Sequence, residues 1–85
     1  MEMILAAAIR HDGIVYSVPK PGRHHNVIRI MNRRGMGPET MREQGFLTNT
    51  GRFVDRKEAC LIARAADQIM LKTEPVGLLF SEDVW

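Results

Sequence analysis

The dipeptide Asp12-Gly13, set between the apolar runs "MILAAAIRH" and "IVYSV", constrains this chain more than any other feature. A two-residue connection needs positive φ at both positions, which Asp and Gly tolerate, and it ties its flanks into an antiparallel hairpin. Strands over 3–10 and 14–18 follow. If His11 pairs with Ile14, then Leu5, Ala7, Ile9, Tyr16 and Val18 share one face, and Ala6, Ala8, Arg10 and Ser17 share the other. A helix through "EMILAAAI" is the competing local reading, because alanine favours helices.

Pro19, Pro21 and Gly22 stop the second strand. From about Arg23 to Arg34 the spacing of Val27, Ile30 and Met31 suits one helical face, with Arg33 and Arg34 in the last turn and Gly35 as the cap. "GMGPETMREQG" reads as a connector with a helical turn started at Pro38. A second hairpin is predicted where Phe46-Leu47-Thr48 and Arg52-Phe53-Val54 flank "NTG". Asp55 and Glu58 then resemble a capping box that opens a helix over about 56–72, whose buried stripe is Ala59, Ile62, Ala63, Ala66, Ile69 and Met70. Pro75 and Gly77 close it, "LLF" is a candidate short strand, and "SEDVW" ends the sequence. The order ββαββα predicts an α+β fold: a small antiparallel sheet from two hairpins, with two helices packed on one face.

Eighty-five residues suffice for a single domain, 1–85, with one modest core. With 45% hydrophobic residues and six methionines, apolar surface is left for another subunit, so a homo-oligomer is expected. Charge is uneven. Residues 1–34 carry six basic and two acidic side chains, 35–58 four of each, and 59–85 two basic and four acidic. The basic front half suits an anionic partner but lacks the Lys/Arg density of a dedicated duplex-DNA binder. Cys60 is the single cysteine, which excludes an intramolecular disulfide and fits a reducing compartment. The apolar run 3–9 is too short to span a bilayer, so no membrane segment is read.

The stretch "GRHHNVI" places Arg23, His24 and His25 where a helix begins. Free N–H groups and the positive dipole end can hold an anion there, with Arg23 as a forked cation and one histidine as a ring donor. Arg52, Phe53 and Arg56 around the second hairpin would complete the clamp, with the Phe53 ring against a base. The bland alternative makes Phe46 and Phe53 a cross-strand core pair with Arg52 in water. Adjacent helical residues point about 100° apart, so His24 and His25 do not face one small ligand together. His11 could supply a second ring for acid–base cleavage of RNA. No catalytic set, metal site or cofactor motif is recognised: three histidines without HxxxH spacing make no ligand set, and Walker A, dinucleotide and G-x-S-x-G patterns do not occur.

Three stretches carry a resemblance. "AAAIR" with "RHHNVI", "QGFLTNTGRFVDRKEACLIA" and "SEDVW" are similar to a group of small accessory proteins of bacteriophages and prophages, with Val84 in place of leucine and Asp67 in place of glycine. The resemblance implies a phage protein acting in the host bacterial cytoplasm. On that basis the expected function is a non-enzymatic binder of a small phosphorylated ligand, nucleotide or cyclic nucleotide, that antagonises host defence signalling. The alternatives are a protein–protein inhibitor of a host enzyme and an RNA-binding or histidine-dependent RNA-processing protein.

Overall fold

Backbone hydrogen bonding around Asp12 and Gly13 is that of a tight hairpin, both residues having positive φ (53° and 77°). The computed structural model describes residues 1–36, 42–71 and 76–85. Strand β1 (Ile4–His11) and strand β2 (Ile14–Pro19) pair from His11↔Ile14 to Ala6↔Pro19. Helix α1 (His24–Arg33) follows, then β3 (Arg42–Thr48), β4 (Phe53–Asp55), α2 (Arg56–Ala65) and a short α3 (Ser81–Val84). All pairings are antiparallel, in the order β2-β1-β3-β4, so the first strand lies inside the sheet and β2 forms an outer edge. The fold is α+β, with the helices on one face as expected.

Both helices cover the same side. Ile9, Tyr16 and Val18 meet Val27 and Met31 of α1, while Ile4, Phe46 and Val54 meet Ala59, Cys60 and Ala63 of α2, with Leu79 and Val84 closing the end. The other side of the sheet is floored by small residues. Ala6, Ala8 and Gly45 are buried there beneath neighbouring side chains. Gly45 has no substitute, because a Cβ would lie 2.7 Å from Cζ of Phe53 and collide with the Val54 carbonyl.

Several expectations need correction. Leu5 does not share the helix-facing side: the β1–β3 register shifts between Ile4 and Ala6, and this bulge turns Ile4 into the core while Leu5 stays 44% exposed. "REQG" is strand and not connector, since β1 offers it a full ladder back to Arg42. The helical turn expected at Pro38 lies outside the described residues, as does Pro75. Helix α2 stops at Ala65, well short of 72. Asp67 takes φ 56°, and the bonds Gln68 N→Ala63 O and Asp67 N→Arg64 O close a Schellman end, which leaves Met70 76% exposed. "LLF" forms no strand; Leu79 N bonds to Arg56 O and the chain turns directly into α3. Phe46 and Phe53 do not pair, because Phe46 faces Val54 and Phe53 faces Leu47, which puts the two rings on opposite sides of the sheet.

Candidate functional site

The corner at the start of α1 is built from three distant stretches. Asp83 Oδ2 accepts from the Phe80 amide and its carbonyl accepts from Met70 N, so 80–85 is folded as a buried plug and not as a loose end. Trp85 donates its indole N–H to Gly22 O at 2.8 Å and meets the Phe46 ring edge-on. Arg23 reaches the same segment through the Ser81 hydroxyl, the Glu82 carboxylate and the Trp85 carbonyl. Its own amide donates to Asn26 Oδ1.

His24 is buried beside this corner, 4.9 Å from Phe46, and its Nε2–H donates to Gly45 O at 2.7 Å. Burial pushes its pKa down to about 4, with the Gly45 carbonyl opposing and Arg56 reinforcing. The ring is neutral at pH 7 and committed to the backbone, so it does not serve as a proton donor to a ligand. Arg56 donates to Leu79 O and Gln44 Oε1 and lies 4.5 Å above the Phe80 ring. Burial lowers its pKa from the ordinary arginine value.

Arg52 belongs to a different place. It forks onto Glu2 at 2.9 and 2.7 Å and reaches Glu58 at 3.1 Å, fastening the N-terminal residues to the β3–β4 turn. Thr48 and Thr50 hydroxyls also donate to Glu2, and these bonds, that from Arg52 foremost, hold its carboxyl down at about 2. Phe53 lies on the open sheet face, where Arg10 stacks 4.7 Å from its centroid and forks onto Glu43.

The six expected ligand residues therefore do not line one hollow. Arg23, His24 and Arg56 meet around the plug at 80–85, Arg52 is held by two carboxylates, Phe53 faces the other side of the sheet, and His25 is exposed on α1. The carboxylates paired with Arg23 and Arg52 are the protein's own.

A second set of basic side chains has no such partners among the described residues. His25, Arg29 and Arg33 are exposed on α1, on the side away from the buried Val27 and Met31, and Arg34 is exposed at its C-cap. Among the described residues the ion pairs involve Arg10, Arg23 and Arg52, and none involves these four. His25, Arg29 and Arg33 recur every four residues, which aligns them along one helical face about 6 Å apart in rise. The sequence carried this signal as a basic helix without one acidic residue, yet the hydrophobic spacing of Val27 and Met31 was needed to say which way the cations point.

Among the described residues no three of His, Cys, Asp and Glu gather as a metal site. The open sheet face holds a groove of about 370 Å³ lined by Leu5, Ala6, Ser17, Pro19 and Leu47.

These features define a small α+β protein with its helices on one side of the sheet, in which Arg10, Arg23 and Arg52 are held in internal ion pairs while the outer face of α1 has no ion-pair partner among the described residues. The chain belongs to the Phage T4 y16D protein family, whose model matches residues 3–85. That membership establishes a phage protein and names no activity. No curated protein and no solved structure matches the chain. Among the described residues no helix is long and apolar enough to cross a membrane.

Proposed function

We propose that this phage protein is a non-enzymatic binder of phosphorylated partners, and that it holds a nucleic-acid backbone against the outer face of α1. The carrying observation is the row His25, Arg29 and Arg33, with Arg34 at the C-cap, all exposed and without ion-pair partners among the described residues. Phosphate contacts from such a row supply affinity without sequence readout. A small nucleotide is favoured less, since it needs a concave site with convergent polar groups, and Arg23 and Arg52 are already spent on Glu82, Glu2 and Glu58. Antagonism of host defence is the setting implied by a phage protein of this size; binding of host or phage RNA on α1 is the means assigned to it.

Fluorescence anisotropy with labelled single-stranded RNA across a salt series tests this. Three phosphate contacts give a slope of about −2 for log K against log salt, because each contributes about 0.7 on a single strand. Arg29→Glu with Arg33→Glu should remove most of the binding and most of the slope, with the fold intact. Binding that ignores both reversals, or retention of a small nucleotide in its place, overturns the reading.

A further inference from the structure

Strand β2 is an edge whose protection is confined to its ends, at Asp12, Pro19 and Lys20. It is six residues long, reads Ile-Val-Tyr-Ser-Val-Pro, and carries no charge between its ends. The opposite edge, β4, has three residues and runs directly into α2. Natural sheets blunt long edges with charges, bulges or central prolines, because unpaired N–H and C=O groups recruit another strand. Lys20 N bonds to Leu5 O at 3.4 Å, continuing the β1 ladder on even-numbered residues of β2. By the alternation of an antiparallel ladder, Val15 and Ser17 turn their backbone groups outward.

The charges at the two ends of β2 specify what fits there. Asp12 precedes the strand and Lys20 follows it, both are exposed, and neither has an ion-pair partner among the described residues. Antiparallel self-pairing centred on Tyr16 sets residue 15 opposite 17 of the partner and residue 12 opposite 20. The outward groups of Val15 and Ser17 then bond to their counterparts, and Asp12 meets Lys20 of the partner subunit at both ends. A parallel pairing would instead bring like charges together.

We infer that β2 is the interface for a second copy of this chain, joined antiparallel about a two-fold axis at Tyr16, so that two four-stranded sheets become one. The axis is perpendicular to the sheet, which keeps both α1 helices on the same side. The inference rests on the strand edge and stands whether or not α1 binds nucleic acid.

Sedimentation velocity over a wide concentration range, with amide exchange on the same samples, tests it on the full chain. The expected species has twice the 9.7 kDa chain mass, and the Val15 and Ser17 amides exchange more slowly as it forms. Lys20→Glu should raise the dimer dissociation constant roughly two- to thirtyfold at low salt, since two surface pairs are removed. Ser17→Pro, which removes an outward N–H, should abolish the dimer; should that variant fail to fold, Lys20→Glu and the exchange data decide. A monomer at every concentration overturns the inference. So does a dimer that ignores Lys20→Glu, or one dissolved by Leu47→Glu on the open face while the Val15 and Ser17 amides stay unprotected.

Discussion

Gln68 holds the backbone of Ile4 from both sides: its Oε1 accepts from Ile4 N at 2.7 Å and its Nε2 donates to Ile4 O at 2.9 Å. The side-chain amide thus stands in for a neighbouring strand at the point where the bulge before Ala6 interrupts the sheet ladder. Gln68→Ala leaves a part-buried donor and acceptor unpaired and should destabilise the fold by about 1–3 kcal/mol, read as a lower urea midpoint with unchanged slope. A variant with full stability would show that water replaces the amide there.

Asp67 occupies the left-handed position that ends α2, at φ 56°. An L side chain in that region is strained, and glycine removes the strain at some cost in unfolded-chain entropy. Asp67→Gly, which restores the residue of the pattern this chain resembles, should therefore raise stability by about 0.5–1 kcal/mol. A lower melting temperature would mean that the Asp67 carboxylate contributes more than its backbone costs.

His24 makes stability depend on pH in a defined window. Its folded pKa of about 4 lies below the ordinary 6.5, so between these values the unfolded chain binds more protons than the folded one. Its neutral burial is therefore tolerated fully above 6.5, and stability falls as pH drops from 6.5 towards 4, by about 2–4 kcal/mol at 1.36 kcal/mol per unit. Glu2 acts lower: its depressed pKa contributes stability above 4.5 that is lost as pH falls towards 2. Urea titrations at several pH values should show both, with His24→Gln flattening the first and Glu2→Gln the second.

Arg23 separates a structural from a ligand-binding role. Removing its bonds to Ser81, Glu82 and Trp85 by Arg23→Ala should cost about 1–3 kcal/mol and shift the emission of Trp85, the single tryptophan, towards that of exposed indole. RNA affinity should stay within about threefold of the parent, since Arg23 lies outside the α1 row and its charge acts on a bound phosphate only through screened solvent. Loss of binding with unchanged fluorescence would return Arg23 to the ligand site.

Much of the architecture was legible locally. The Asp12-Gly13 hairpin has the expected register down to His11↔Ile14, Asp55 accepts from the Glu58 amide at the start of α2, and α1 spans most of 23–34. The end of α2 was not legible, because Asp67 has the composition of an ordinary helical residue and only its backbone angle marks the stop. The candidate site was less legible still. "RHH" and "GRFV" look like exposed recognition residues in a linear reading, yet Arg23 is matched by residues 58–62 positions away, and Arg52 by Glu2, 50 positions away.

The sequence by itself determined both hairpins, the starts of α1 and α2 and the core positions Val27, Met31, Ala59 and Ala63, because those follow from turn chemistry and periodicity within a few residues. Only the tertiary structure decided which arginines are neutralised and which remain open, where the bulge turns Leu5 outward, and that β2 lies at an edge. Ion pairs and sheet order join residues far apart in the chain, so their outcome depends on the packed geometry and has no local signature.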